Sequence, residues 1–300
     1  MTRRKKIFTL GLMMVLALIL LTIACGSGEE AKAPVSSPSS NQPSQPMPEI
    51  EYSGEEVEAP VSSLSANQPP QPTPEIEYWA VLVGVSDYKY LEDTTLNDND
   101  ATALYQQLCS FWGEDHVKLL VNAEATQAGI EAALVDWLAP RESKEDVVLF
   151  FFAGHSSSGK YMLPHDSLET SYARDITGPQ LDSWLDKLDS GNLVVILETC
   201  KSGAFITDLS EPGRVIMTSS DKNENSVGYS MLGRFVFPYY VIEAFSELEA
   251  VDSDRDYVVS AEEVFDYVGP KVTSYGERYG HPQHPQLYDG YEGELGLIQM

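Results

Sequence analysis

From Tyr78 onward the chain alternates short, continuously apolar runs with amphipathic stretches, a pattern that leaves few architectures open. WAVLVGV (79–85), VKLLV (117–121), DVVLFFFA (146–153), LVVILET (193–199) and RVIMTSS (214–220) are each of strand length and largely apolar on both faces. A strand without a polar face must be covered on both sides, as in a parallel sheet between two layers of helices. The helices between the strands are NDNDATALYQQLCSFW, a segment capped by Thr126 and running to Leu138, and PQLDSWLDKL after the cap Thr177. The expected fold is α/β with a mostly parallel central sheet, in one domain of about 220 residues spanning 78–300.

The chain before that domain is poor material for a core. Residues 2–6, TRRKK, are basic, residues 7–23 are an unbroken run of low polarity, and Ala24 and Cys25 follow. A charged region, an apolar stretch and a small residue before the break read as an export signal over residues 1–24. TIAC resembles a bacterial lipoprotein signal, in which Cys25 becomes the lipidated first residue; Thr22 stands where that pattern usually has Leu. The alternative is an uncleaved anchor helix, since the run is nearly long enough to span a bilayer. Both readings place the domain outside the cytoplasm, and the first ties it to the outer face of a bacterial-type membrane in the cell envelope. Residues 25–77 are rich in Pro, Ser, Glu and Gln, and APVSSPSSNQPSQPMPEIEY at 33–52 returns as APVSSLSANQPPQPTPEIEY at 59–78. Such a composition cannot bury a core, so the segment reads as a disordered, partly extended stalk.

The chain carries 19 basic and 46 acidic residues, a net charge of −27. Removing residues 1–24 takes away Arg3, Arg4, Lys5 and Lys6 and no acid, leaving 15 basic against 46 acidic, or −31. A chain this acidic repels nucleic acid and anionic lipid surfaces, so membrane association rests on the N-terminal anchor alone; cationic substrates and calcium are better matched. With Cys25 assigned to the anchor, Cys109 and Cys200 remain and there is no disulfide framework. Cys109, inside the apolar helical pattern ALYQQLCSFW, reads as a small core residue. WAVLVGVSDY lacks a Gly-rich phosphate cradle, which argues against a flavodoxin-like small-ligand binder, and no organic cofactor is implied.

Cys200 stands just past the apolar run LVVILET, and His155 closes DVVLFFFAGH forty-five residues upstream. Catalytic side chains in open α/β sheets gather at the carboxyl ends of strands, where a Cys and a His distant in sequence become neighbours. A cysteine nucleophile acts as the thiolate. KSGAF, after Cys200, should turn into a helix whose N–H groups favour a thiolate and bind an oxyanion, while His155 protonates the leaving amine. Each residue alone has a plain structural reading, as a strand-end imidazole or a buried thiol; their placement at two strand ends favours a cysteine hydrolase.

These residues carry a family resemblance. AGH followed by a hairpin reading KYMLPHD, then ILETCKSG, resembles the caspase-like cysteine peptidases, the group of caspases, metacaspases and legumains. WAVLVGVSDY…LNDNDATAL is similar to the opening strand and helix of the metacaspase type, GRVIMTSS to the strand after the nucleophile, and HPQHPQLYDG to the closing segment of bacterial members. The resemblance spans about Glu77 to the C-terminus. It implies a caspase-like three-layer α/β/α sandwich and an endopeptidase acting on peptide or protein substrates through a His155–Cys200 dyad. It also implies an oxyanion site at the backbone N–H groups of Ser156 and Cys200, and an S1 pocket lined by Asp100 and Glu198. Two carboxylates there favour Arg or Lys before the scissile bond. Legumain-like members share the Glu and prefer Asn, and Asp100 has a second reading as a helix-start acid. The family usually has Gly after the His, where this chain has Ser156. If that position required a positive φ, the oxyanion site would be misaimed, at a cost of about 10²–10³ in rate. The alternative function is a catalytically weak or inactive caspase-like binding module, stabilised by calcium.

The calcium expectation comes from DSDRDYVVSAEE, residues 252–263. Asp252, Asp254, Asp256, Ser260 and Glu263 fall at positions 1, 3, 5, 9 and 12 of an EF-hand-like loop, with the Val258 carbonyl at position 7. PYYVIEAFSELEA before it and AEEVFDYVGPKV after it read as the flanking helices. Position 6, normally Gly, is Tyr257, which costs roughly 1–2 kcal/mol in a left-handed conformation. Weakened Ca²⁺ binding follows, adequate at millimolar calcium.

Overall fold

A computed structural model describes residues 75–158, 160–229 and 232–300. The export signal, Cys25 and the repeat segment up to residue 74 lie outside the described residues. Among the described residues no helix is long and apolar enough to cross a membrane.

The apolar runs form β1 (Tyr78–Gly84), β2 (Val117–Val121), β3 (Val147–Ala153), β4 (Asn192–Glu198) and β5 (Arg214–Thr218). A further strand, β6 (Gln286–Asp289), closes a six-stranded sheet of order β6-β5-β4-β3-β1-β2. Only β6 runs antiparallel to its neighbour. The sequence reading missed β6 because QLYD is short, lies just after Pro285 and is at most half-buried, with none of the apolar continuity of the inner strands. The helices are α1 (Asn97–Trp112), α2 (Gln127–Ala132, continuing as a wider coil over Ala133–Leu138), α3 (Gly178–Leu185), α4 (Val236–Ala244) and α5 (Ala261–Tyr279). Thr126 and Thr177 cap α2 and α3, accepting from the Gly129 and Gln180 amides at 3.0 and 3.2 Å.

Both faces of the sheet are covered, so each strand divides its side chains by the two-residue period of a strand. Leu149 and Phe151 pack with α1, α4 and α5, whereas Val148, Phe150 and Phe152 pack with α2 and α3. The three phenylalanines are fully buried, each contributing about 1.5–3 kcal/mol of hydrophobic stabilisation. These are the layers of an α/β/α sandwich. Gly84 lets α1 approach β1 closely: a Cβ there would stand 2.5 Å from the Asn97 carbonyl oxygen and 2.7 Å from the Ala101 Cβ.

Strand order reverses between β1 and β3, since β1 leads outward to β2 while β3 leads to β4 and β5 on the other side. Such a reversal opens a crevice beyond the carboxyl ends of the strands, where α/β proteins place their sites. The loop after β1 is pinned there by Asn122, whose Oδ1 accepts from the Ser86 and Asp87 amides at 2.8 and 2.9 Å.

Candidate active site

The parallel register of β3 and β4 pairs Ala153 with Glu198 and continues in a Gly154 N–H to Glu198 O bond of 3.1 Å. His155 and Cys200 are each two residues past this last pair, so the register puts their backbones at the same carboxyl edge of adjacent strands, with His155 on the strand that borders the switch point. The two segments are also tied directly, by the Ser156 hydroxyl donating to the Cys200 carbonyl.

The His155 backbone N–H donates to the Tyr88 hydroxyl at 2.7 Å, and the imidazole tilts over the Tyr88 ring with centroids 5.0 Å apart. His155 Nε2 lies 3.1 Å from the Glu92 carbonyl oxygen. A carbonyl only accepts, so this contact places the proton on Nε2 and leaves the lone pair on Nδ1. Tyr88 and Glu92 both belong to the loop after β1, and no sequence pattern marks the role of either.

After Cys200 the chain turns sharply, with Lys201 in the left-handed region at φ 61°. The turn is fixed by Lys201 N–H to Glu224 O at 2.7 Å and Gly203 N–H to Ser220 O at 2.9 Å, and by a buried hydroxyl cluster in which Ser202 Oγ meets Ser219 Oγ at 3.1 Å. A one-turn helix, Ile206–Leu209, follows Ser202–Phe205, as KSGAF suggested. Burial pushes the Cys200 thiol above its ordinary value, against a Ser226 backbone N–H directed at the sulfur. At neutral pH the resting residue is therefore a thiol, which needs a base before it can attack.

Ser156 does not take the left-handed backbone that Gly would favour. It lies in a two-residue strand, Ser156–Ser157, paired with Tyr161–Met162, and the positive φ falls later, at Ser158 (57°). The condition under which Ser156 would misaim a neighbouring amide is not met.

Glu198 shares the strand parity of Val194 and Ile196, so its carboxylate points to the face covered by α1, whose first turn carries Asp100. The two acids come close enough that Asp100's charge raises the pKa of Glu198. They are 1% and 0% exposed. Glu198 accepts from the Ser226 hydroxyl, and Asp100 Oδ2 from the Phe235 amide at 3.3 Å. Burial holds Glu198 well above the usual carboxylate range and pushes Asp100 up to about 7, with the Phe235 amide and Arg234 opposing the shift at Asp100. Sequence reasoning missed Ser226, Phe235 and Arg234, which come from a loop and from Arg234–Phe235, a two-residue strand paired with Gly228–Tyr229 and too short to show periodicity. Gln283, in the HPQHPQ stretch, fastens that segment: its Oε1 accepts from the Val227 amide at 3.0 Å and its Nε2 donates to the Ser219 carbonyl at 2.8 Å.

The EF-hand-like loop lies elsewhere in the fold. Asp252, Asp254 and Asp256 each offer a carboxylate oxygen within 4.8 Å of the others. Glu263 stands outside that group. It caps α5 reciprocally with Ser260, and its other oxygen accepts from the Ser253 amide at 2.6 Å. Val258 pairs with Gln299 in a short ladder to Gly296–Gln299, so the chain's own last strand partners the loop. Tyr257 adopts φ 72°, the conformation a Gly would favour, with its ring exposed. The single helix expected before the loop is instead two, α4 and Leu248–Val251, because the chain turns at Phe245–Glu247. Cys109, expected in the core, is only half-buried on α1, packed against the apolar cluster rather than inside it.

The mostly parallel α/β/α sandwich, with His155 and Cys200 past the carboxyl ends of the adjacent strands β3 and β4, is the architecture that the caspase-like resemblance implies. The caspase-domain family of peptidases matches the chain over residues 77–284, and the chain belongs to that family. No curated protein matches it.

The buried acids make stability pH-dependent. Native Asp100 keeps its proton up to about 7, whereas in the unfolded chain it is lost near 3.9. The resulting stabilisation is complete at low pH and disappears as pH rises through about 7. Thermal unfolding should therefore show the difference in Tm, Asp100→Asn minus wild type, becoming more favourable to the variant between pH 5 and pH 8. A difference that does not change with pH contradicts the assignment.

Proposed function

We propose that this chain is a cysteine endopeptidase of the caspase-like class, using Cys200 as nucleophile and His155 as acid and base. The observation that supports the reading is the β3–β4 register, in which both residues lie two positions past the same strand pair, Ala153 and Glu198. The Cys200 proton passes to His155 Nδ1, the nitrogen left free by the Glu92 contact. The thiolate attacks the scissile carbonyl carbon, and the oxygen, now negative, is held by the N–H groups of Ser156 and Cys200. His155 then gives its proton to the amine as the C–N bond breaks, and water hydrolyses the thioester. Asp100 and Glu198 form the specificity pocket, whose two buried carboxylates suit Arg or Lys.

The domain is carried outside the cell on the repeat stalk, lipid-anchored through Cys25 to the outer face of a bacterial-type membrane; the TIAC signal supports this. Residues 252–263 bind one Ca²⁺ through Asp252, Asp254 and Asp256, with the Val258 carbonyl, Ser260 and Glu263 completing the set. The clustering of the three aspartates and the glycine-like backbone at Tyr257 support that reading. Glu263 would exchange its Ser253 contact for the ion.

Two outcomes are expected. Wild type should cleave peptides after Arg or Lys, and Cys200→Ala should lower kcat/KM by at least about 10³-fold. Cleavage surviving in the variant ends the assignment to Cys200, cleavage only after Asp or Asn ends the basic preference, and an inactive wild type favours a binding module. Calorimetry should give one Ca²⁺ with a Kd of about 10⁻⁴–10⁻³ M, weakened in Asp254→Asn/Asp256→Asn. No heat at millimolar calcium contradicts the site.

A further inference from the structure

Asp100 and Glu198 are buried, yet each keeps one carboxylate oxygen, Asp100 Oδ1 and Glu198 Oε2, without a hydrogen-bond partner among the described residues. Buried carboxylate oxygens are ordinarily paired, so these two mark a place prepared for donors that the resting fold does not fully supply. What stands there instead is part of the chain itself. The Arg234 guanidinium lies 3.7 Å from Asp100 Oδ1, an ion pair just longer than a hydrogen bond. Its Nη1 donates to the Asn99 carbonyl at 2.8 Å, which holds the group back from a direct bond to the carboxylate. The Arg234 side chain is 27% exposed and that of Asp100 is 0% exposed, so the guanidinium faces both solvent and the acid. A substrate side chain can reach Asp100 only by replacing what covers it.

We propose that Arg234 is the resident cation of the acidic pocket, an internal occupant that the Arg or Lys of a substrate must displace, and that it thereby sets the pocket's affinity for cationic side chains. The inference rests on the reading of Asp100 and Glu198 as the specificity pocket. It differs in sign from a purely supporting role. A residue that only props up the pocket or keeps Asp100 ionised weakens cation binding when removed, whereas an occupant strengthens it.

The test measures benzamidine binding by calorimetry to the full chain carrying Cys200→Ala at pH 8.5, above the value of about 7 to which burial pushes Asp100. Arg234→Gln keeps a donor for the Asn99 carbonyl and removes the charge; Arg234→Met serves if the glutamine variant does not fold, and Arg234→Lys keeps the charge. The neutral variants should bind benzamidine about fivefold tighter, the factor expected for a partly exposed ion pair, and Arg234→Lys should stay near the parent. With Cys200 intact, the KM for an Arg-containing peptide should fall by a similar factor. Equal or weaker binding in the neutral variants overturns Arg234 as occupant and leaves the pocket standing. Binding unaffected by Glu198→Gln, or absent in every variant, overturns the pocket and the inference together.

Discussion

Parallel pairing of β3 with β4 is the constraint from which the rest of the site follows. Its register ends on Ala153 and Glu198, and two further residues on each strand deliver His155 and Cys200 to neighbouring points of the same edge. A slip by one residue would exchange the faces of every side chain on a strand, sending Phe151 and Ile196 away from the layer they fill. The packing of both faces therefore enforces the register, and the register places the two residues. The apolar continuity of these strands, which looks like a matter of stability alone, is also what aims the site.

The loop after β1 supplies what the strands cannot. Tyr88 and the Glu92 carbonyl orient the His155 backbone and ring, and Asn122 holds the loop in place. On the other side, Glu224, Ser226 and Gln283 fasten the segment that crosses the acidic pair. The pair itself is costly: two carboxylates taken out of water repel each other and hold their protons to unusually high pH. A cation beside the pair relieves that repulsion, and the Arg234 guanidinium lies 3.7 Å from Asp100 Oδ1.

Most of this architecture is legible from residues, and the boundary of legibility has physical causes. The inner strands declare themselves because burial on both faces demands unbroken apolar runs, and Thr126 and Thr177 mark helix starts by their capping chemistry. β6 does not, because an edge strand half in solvent needs no such run. His155 and Cys200 stand out as candidates by their positions after strands. Tyr88, Ser226 and Arg234 do not, since their contacts arise from loops and a two-residue strand brought together only by the tertiary fold. Ser156 shows a further limit: whether it replaces Gly harmlessly depends on a backbone angle that residue type alone does not disclose, and the structure puts the left-handed turn at Ser158 instead.

Covalent trapping decides whether Cys200 is a nucleophile served by His155. Wild-type protein treated with an Arg-containing peptidyl acyloxymethyl ketone should gain a single adduct, located on Cys200 by peptide mass mapping. It should form much more slowly in His155→Ala, and Cys109 should stay unmodified. An adduct on Cys109, or labelling of Cys200 at an unchanged rate without His155, would contradict the account.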